Sequence, residues 1–539
     1  MKKKINVFFT WLLLLLVIVG VTLFLKINTY THDDWWAGFY YFKFNFVNNF
    51  MYSDQGLVWS WFTGKLCTQL IPQIFHIHPQ QNIITAIIKG INFAIFIYLA
   101  SAFFNISTKK IPDFFVVLAN TFLVFSVIFI VDYHQLVWNN QHFKYLYNLI
   151  IGSSIWLVWF REFMKGQFLS GKYLIRDCIF AFILVFTGHL VNIPSIIMFL
   201  CLFVYMVYNA EKHREFFIST IKRNYFIPLI YITCCITYVN MPGFTYIKKA
   251  RWPEGSAIVY AITHFWEFTE LFFKQVFGSK YIAGLFLITV IGIIAIIILR
   301  KRIDKKYIIA SIAIFLGNLA FQYSLLFCGK TYYDQKSYWF VSPQIAATFL
   351  FYLIINCNII FGCLYNLIEK TNIKVYLTLG IFMLINIIYP ISVSQIKVVE
   401  LYEKEKIQRV AIYKISKIFR YYALTSDTIY VPLTYYPRIN VFVAQHLWAP
   451  VNHNISMILY KKTFKPREIK VNLKYTYKPV INNMILVYKI DKNKKFVPMN
   501  KRILNDAELF PKEELDNINF NNLYNDNFVL QMKEPEFDN

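Results

Sequence analysis

The chain has few charged residues for its length. Asp, Glu, Lys and Arg make up 16% of its 539 residues, whereas soluble domains usually carry about a quarter. Hydrophobic residues reach 57%, aromatic residues 19%, and the mean hydropathy is +0.44. This composition excludes an ordinary soluble globular domain and indicates a multipass membrane protein.

Sequence motifs of several enzyme and transporter classes are also missing. There is no P-loop, no GxSxG element and no HExxH motif, so ATP-driven transport and those hydrolase classes lose support. The eight cysteines form neither a CxxC zinc pattern nor a disulfide framework. Six of them fall in apolar runs, where cysteine acts as a small core residue: Cys178, Cys201, Cys234, Cys235, Cys357 and Cys363.

Acidic residues are scarce relative to basic ones. The chain has 30 Asp and Glu against 55 Lys and Arg, a formal net charge of +25. In a membrane protein such an excess points first to positive cytoplasmic loops, and nucleic-acid binding is the weaker alternative. The basic clusters fall on alternate loops, so we place the N-terminus in the cytoplasm and the long polar-aromatic loops outside.

Long apolar runs define the membrane region. Residues 7–25 are long enough to span a bilayer, and because no small-residue cleavage site follows them, they indicate a retained signal-anchor helix. Later runs bring the total to about eleven spans with apolar centres, including a short pair turned by Gly188, His189, Asn192 and Pro194. The spans are predicted at 7–25, 83–104, 114–131, 145–160, 178–186, 196–208, 225–238, 281–299, 308–327, 340–367 and 375–391.

The predicted fold is an α-helical polytopic membrane domain followed by a small α/β domain. The membrane domain covers residues 1–392 and includes two long outer loops, 28–82 and 240–280. The chain has no cysteine from about residue 400 onward, so the extracytoplasmic domain, 393–539, must fold without disulfides. It is predicted to have an amphipathic helix at 396–418, strands at 428–433, 469–477 and 484–490, and an acidic tail from 506.

Asp33 and Asp34 stand soon after the first span, at the start of an aromatic-rich stretch. Two adjacent carboxylates beside an apolar segment resist simultaneous ionisation unless a cation or a proton is shared, which suits a general base. The alternative is a solvated loop that ends a helix, because Asp pairs are common in loops.

Three further outer stretches place cations among aromatic residues. Lys65 can hold a phosphate as a point charge or extend to the membrane surface as an interfacial lysine. Lys248, Lys249 and Arg251 oppose the positive-inside trend, which calls for an anionic partner: either a lipid phosphate or lipid headgroups in general. The loop from Lys330 to Trp339 suits sugar or prenyl contacts, and equally an interfacial aromatic belt.

Three histidines leave a divalent metal site open without establishing one. His32, His76 and His78 lie in the first outer loop, and imidazole together with carboxylate binds divalent ions. However, two histidines separated by one residue do not share a helical face. We therefore assign no metal ligand and no definite cofactor, and a divalent metal stays an open alternative.

The order of these features resembles the GT-C superfamily of membrane glycosyltransferases. That group shares a first span, a long outer loop with an acidic pair, many further spans and often an extracytoplasmic C-terminal domain. Within it the chain is most similar to an uncharacterised family of bacterial multipass proteins, although Lys65 stands where relatives tend to carry Arg. The matching stretches are Asp33–Asp34, SWFTGK at 60–65, VWNNQHFKYLY at 137–147, MPGFTYIKKAR at 241–251 and KTYYDQKSYW at 330–339.

The resemblance implies an inverting transfer of a sugar from a polyprenyl-phosphate donor, on the outer face of the bacterial cytoplasmic (inner) membrane. The acceptor would be a surface glycan, lipopolysaccharide or another lipid-linked molecule, and Asp33 or Asp34 would be the base. The candidates to hold the donor phosphate are Lys65, Lys248, Lys249, Arg251, Lys330 and Lys336. The candidates for acceptor or sugar contacts are His32, Trp35, Trp138, Asn140, His142 and Tyr333.

Two alternatives remain open. An O-antigen-type polysaccharide polymerase also transfers glycosyl groups, but it consumes an oligosaccharide on a lipid pyrophosphate. A lipid-linked glycan flippase or transporter belongs to another class and needs ionisable residues within its spans. The apolar centres expected for these spans disfavour the transporter.

Overall fold

The computed structural model describes most of the membrane region and four short strands beyond it. The bounds given below, and every statement about contacts or burial, refer to these residues. The described ranges are 2–25, 83–107, 111–131, 142–187, 189–239, 257–327, 343–368, 428–433, 470–475, 488–490 and 496–498.

The described part of residues 2–368 is helical. Six helices are long and apolar enough to cross a membrane: α1, α2, α6, α11, α12 and α13 as bounded below. The helices are α1 (Lys2–Leu25), α2 (Ile83–Ala102), α3 (Phe114–Ile130), α4 (Tyr147–Met164), α5 (Leu174–Phe186), α6 (His189–Tyr208), α7 (His213–Asn224), α8 (Phe226–Val239), α9 (Ala257–Thr263), α10 (Phe265–Gly278), α11 (Lys280–Ile298), α12 (Lys305–Ser324) and α13 (Pro343–Ile368). A π-helix at His142–Leu146 precedes α4, and a 3-10 turn at Leu325–Phe327 follows α12.

The outer surface of the bundle is apolar where helices face away from their neighbours. Phe8 and Leu16 on α1, and Ile291 and Ile298 on α11, are exposed. A contiguous apolar surface of this kind is unfavourable in water but matches the hydrocarbon interior of a bilayer. The chain is therefore an α-helical membrane protein.

The first three described helices set the directions of the bundle. Trp11 stacks on Tyr98 with ring centres 5.8 Å apart, and Gly90 lies against the backbone of Ile18, so α1 and α2 are antiparallel. A β-carbon at Gly90 would come within 2.8 Å of the Ile18 carbonyl oxygen, so this crossing requires glycine. Phe9 contacts Phe114 and Phe24 contacts Phe129, so α1 and α3 are parallel.

Helix α13 is the central, almost entirely buried element. It runs parallel to α2, because Phe96 meets Phe351 and Phe104 meets Tyr365. It runs antiparallel to α12, where Asn318 Nδ2 donates to the Phe349 carbonyl oxygen and Ser311 Oγ donates to Asn356 Oδ1. These pairings fix which helix ends lie together.

One end of the bundle, which we call the His142 end, contains the ends of α1, α3 and α12 and the starts of α2 and α13. Segments 26–82, 132–141 and 328–342 therefore leave and re-enter the bundle there. Helix α9 packs on the 3-10 turn at this end, so the chain after 256 also re-enters there.

The opposite end, the basic end, carries most of the described cations. Lys306 Nζ donates to the Met164 carbonyl oxygen, and Arg223 donates to the Ser170 carbonyl oxygen. Further cations of this end lie within or next to α5, α7, α11 and α12: Lys165, Lys172, Arg176, Lys212, Arg214, Lys222, Arg300, Lys301, Arg302 and Lys305. The charge difference between the two ends is the one that the positive-inside rule describes.

The structure modifies the predicted turn between the short pair of spans. Helix α6 begins at His189 and continues through Pro194, so the predicted turn over 188–194 was too long. Pro194 is the sixth residue of the helix, so one intrahelical hydrogen bond is lost, which membrane helices tolerate where neighbouring groups satisfy the freed carbonyl. The predicted spans other than 375–391 each coincide with a described helix, and 375–391 lies outside the described residues.

Four short strands form one sheet in the order β2-β1-β3-β4. They are β1 (Thr428–Leu433), β2 (Lys470–Tyr475), β3 (Tyr488–Ile490) and β4 (Phe496–Pro498). Strands β1 and β2 are parallel, with Thr428 opposite Lys470, and the other two pairings are antiparallel. The first three strands fall within the predicted ones, whereas the helix at 396–418 and the acidic tail lie outside the described residues.

Candidate functional site

A lysine is buried within the second membrane helix. Lys89 lies on α2 and is only 2% exposed, while Ile87 and Ile91 on the other side of the helix are exposed. The buried polar residues Thr85, Lys89 and Asn92 follow one another at helical spacing, so they share the inward face. An ionisable residue inside a membrane helix is costly and commonly marks a functional site.

His142 completes a polar cluster beside this face. It is fully buried at the first position of the π-helix, and its ring meets Phe93 edge-on with centres 5.3 Å apart. Asn92 Nδ2 lies 3.0 Å from His142 Nε2. An amide nitrogen can only donate, so this bond requires a neutral imidazole with its proton on Nδ1.

Of two buried amide side chains on α12, Gln322 lies at the same depth as Lys89 and Asn318 lies one turn deeper. Lys89 is two turns before Phe96, the partner of Phe351, and therefore lies level with the start of α13. Gln322 is one turn after Asn318, the partner of Phe349, and reaches the same level from the other direction. We call Lys89, Asn92, His142, Asn318 and Gln322 the polar layer.

This layer is close to the His142 end of the bundle. Lys89 lies six residues into α2, a depth of about 9 Å at a rise of 1.5 Å per residue. Gln322 lies in the last turn of α12. Segments 26–82 and 328–342, which carry predicted site residues, therefore meet the bundle within about two helical turns of Lys89 and Gln322.

Comparison with protein-family models, curated proteins and solved structures finds no match for this chain. The chemistry of the site therefore has to be inferred from its own residues.

Most predicted site residues lie outside the described residues. Of the candidates, the structure describes His142, and it places this side chain in the buried cluster with Asn92 rather than in a loop. The others are Asp33, Asp34, Lys65, Lys248, Lys249, Arg251, Lys330, Lys336, His32, Trp35, Trp138, Asn140 and Tyr333.

The prediction of apolar span centres was wrong. Lys89, Asn92, Asn318 and Gln322 are all buried within predicted spans. The signal was present in the sequence, because a lysine interrupts the apolar run at 83–104 and an asparagine follows it three residues later. It was missed because average hydropathy over a span hides a single charge.

A second set of buried polar residues lies deeper, toward the basic end. Asn120 and Asn358 donate to each other at 2.9 and 2.8 Å, and Asn120 also donates to Ser101 Oγ at 3.1 Å. Every one of these contacts joins two helices. Fully bonded groups of this kind hold membrane helices together.

The basic end contains an ion-pair network. Arg176 binds Glu162 through both terminal nitrogens and lies 2.7 Å from Asp177 Oδ1. Burial lowers the pKa of Arg176, but hydrogen bonds and attraction from the two carboxylates outweigh it, so the pKa is raised. The network joins α4 to α5.

A metal site is not apparent in the part of the chain that the structure describes, where no three His, Cys, Asp or Glu residues lie close enough to hold an ion. His32, His76 and His78 lie outside it.

Proposed function

We propose that this chain is a membrane glycosyltransferase. It moves a sugar from a polyprenyl-phosphate donor to a surface glycan or lipid-linked acceptor, with Asp33 or Asp34 as the base. The reaction takes place at the His142 end, which faces the outside of the bacterial cytoplasmic membrane in this proposal.

The observation that carries the proposal is the common end of the polar segments. Segments 26–82, 132–141 and 328–342, which hold the acidic pair and two of the cationic stretches, connect helices at the His142 end. The stretch 240–256, with Lys248, Lys249 and Arg251, precedes α9, which packs at that end. The buried Lys89, Asn92 and His142 lie beneath the same end.

The chemistry needs a base and cations on one side of the membrane. The acceptor hydroxyl gives its proton to an aspartate, its oxygen bonds to the anomeric carbon, and the bond from that carbon to the phosphate oxygen breaks. The phosphate leaves with the electron pair, and cationic groups stabilise the negative charge that develops on it. The loop cations, with Lys89 beneath them, supply that charge in this proposal.

The buried polar residues also favour a second candidate, a transporter for a lipid-linked glycan. Polar groups occur at two depths, the polar layer and the Asn120–Asn358 pair, so the membrane interior is not uniformly apolar. A transporter needs polar groups at several depths between its two gates. The polar groups of the deeper pair are engaged with one another, which makes the transporter the weaker candidate.

The test uses membranes that contain the full chain and a radiolabelled polyprenyl-phosphate hexose. Removing a general base lowers the rate by about 10²- to 10⁴-fold, so Asp33→Asn or Asp34→Asn should abolish sugar transfer without loss of folded protein. Asp54→Asn, in the same loop, is the matched control and should remain active.

Full activity in both variants would refute the assignment of the base. If the wild-type chain in sealed vesicles carries the labelled lipid across the bilayer and forms no new glycosidic bond, the transporter is correct instead.

A further inference from the structure

Two amide side chains of the polar layer have hydrogen-bonding atoms without partners. Asn318 and Gln322 lie one turn apart on the same face of α12 and are 1% and 0% exposed. Asn318 Nδ2 donates to the Phe349 carbonyl oxygen at 3.2 Å. In the described part of the chain, Asn318 Oδ1, Gln322 Oε1 and Gln322 Nε2 have no hydrogen-bond partner.

Partnerless polar atoms destabilise a protein when they are buried in a membrane interior. A buried polar atom without a partner costs free energy that an apolar side chain of the same size would not. Neither side chain bonds to the carbonyl oxygen one turn before it, although this bond is available to polar side chains in membrane helices. Asn120 and Asn358 show that amides in this bundle can be fully bonded to one another.

The free atoms define the chemistry of the missing partner. They are two acceptors, Asn318 Oδ1 and Gln322 Oε1, and one donor, Gln322 Nε2. An anion would face two acceptor oxygens, and a cation could not use the donor nitrogen. A ligand with hydroxyl groups on adjacent carbon atoms can satisfy all three atoms, because each hydroxyl both donates and accepts.

We propose that Asn318 and Gln322 bind the hydroxyl groups of the sugar carried by the lipid-linked substrate. This inference rests on the proposed function, which supplies a sugar-bearing lipid at this end of the bundle. The position fits, because Gln322 lies in the last turn of α12 and at the depth of Lys89. A group entering from the His142 end passes roughly two helical turns, about 9 Å, to reach it.

The experiment measures lipid binding by the full chain in lipid nanodiscs. The probes are polyprenyl phosphate and its glucosyl, galactosyl and mannosyl derivatives. The wild type should bind at least one sugar-bearing lipid about tenfold more tightly than the sugar-free lipid, the gain expected from a few net hydrogen bonds. Asn318→Leu and Gln322→Leu should remove this advantage and leave binding of the sugar-free lipid unchanged.

Asn356→Leu is the matched control. Asn356 Nδ2 also lacks a partner among the described residues, but this residue lies deeper on α13 and its Oδ1 accepts from Ser311. The variant should keep the preference for the sugar-bearing lipid. Loss of the preference in this variant as well would overturn the assignment to Asn318 and Gln322.

Thermal unfolding without added lipid gives a second, independent result. Gln322→Leu should unfold at the same temperature as the wild type or a higher one, because it removes partnerless buried atoms. A clear fall in the unfolding temperature would show that the amide has a structural partner, such as a bound water, and would overturn the sugar site.

The binding result separates this inference from the proposed function. If the wild type binds sugar-bearing and sugar-free lipids equally, or if both variants keep the preference, the sugar site is wrong and the proposed donor class stands. If the wild type binds none of the lipids, the proposed donor is wrong and the sugar site falls with it.

Discussion

Two groups of buried amides lie at different depths of the same bundle and differ in how completely they are hydrogen-bonded. Toward the basic end, Asn120 and Asn358 donate to each other and join α3 to α13. Toward the His142 end, Asn318 and Gln322 together have three side-chain atoms without a hydrogen-bond partner among the described residues. The residue types are alike, so their surroundings make the difference.

The comparison separates a structural role from a binding role. We call Asn120 and Asn358 the closed pair. It stabilises the bundle because each amide satisfies the hydrogen bonds of the other where water is absent. We call Asn318 and Gln322 the open pair. Its three partnerless atoms add no stability to the folded chain, so a functional role for them depends on a bound ligand. Two predictions test the contribution of the bonded pair and a third tests an exposed contact outside both groups, beginning with the largest expected effect.

Gly362→Ala should disrupt helix packing at the depth of the closed pair. Gly362 lies one turn after Asn358, and a β-carbon there would come within 1.9 Å of the Phe104 carbonyl oxygen. The turn that follows α2 and helix α13 must separate to accept it, at a cost of about 3 kcal/mol or more. Size-exclusion chromatography in detergent should show little monodisperse protein.

Gly284→Ala on α11 is the control for that variant, because nothing lies within 4 Å of a β-carbon built there. Monodisperse Gly362→Ala protein with the unfolding temperature of the wild type would contradict the close approach of α13 to the turn that follows α2.

Asn358→Leu should destabilise the chain by about 1–3 kcal/mol, because it leaves the Asn120 amide buried without its reciprocal partner. Asn120→Leu combined with Asn358→Leu should recover much of that loss, since both partners then become apolar. The unfolding midpoints of the two single variants and the double variant measure the coupling. Additive effects would show that the two amides do not stabilise each other.

Lys212→Ala should have the smallest effect. Lys212 Nζ lies 3.3 Å from Glu215 Oε2, but both side chains are largely exposed at the basic end. Solvent screens such pairs, and many contribute nothing measurable. An unfolding temperature indistinguishable from that of the wild type is expected, and a clear decrease would show that this surface contact supports the bundle.

The sequence predicted most of the described helices, but it did not predict the buried polar residues of the site. Long apolar runs predicted the described membrane helices because helix formation in a bilayer depends on local composition. The turn at Gly188 to Pro194 was placed too broadly, since a proline near a helix start can read as a break. His142 precedes the predicted span at 145–160, yet it begins a π-helix, and its ring lies against Asn92 and Phe93.

The predicted catalytic and phosphate-binding residues stay predictions, because Asp33, Asp34 and the loop cations lie outside the described residues. The buried residues that the structure adds could have been noticed individually. Their association could not, because Lys89 and Gln322 are far apart in sequence and reach one depth only through their separate packing on α13.

The sequence by itself determined that this is a multipass helical protein with a charge difference between alternate loops, because hydropathy and charge act locally along the chain. The tertiary structure decided which buried polar groups meet. Asn120 finds Asn358 because α3 and α13 cross at that level, whereas Gln322 faces a neighbourhood that offers it no partner within the described chain. Pairing between distant helices depends on their directions and levels in the bundle, which only packing fixes.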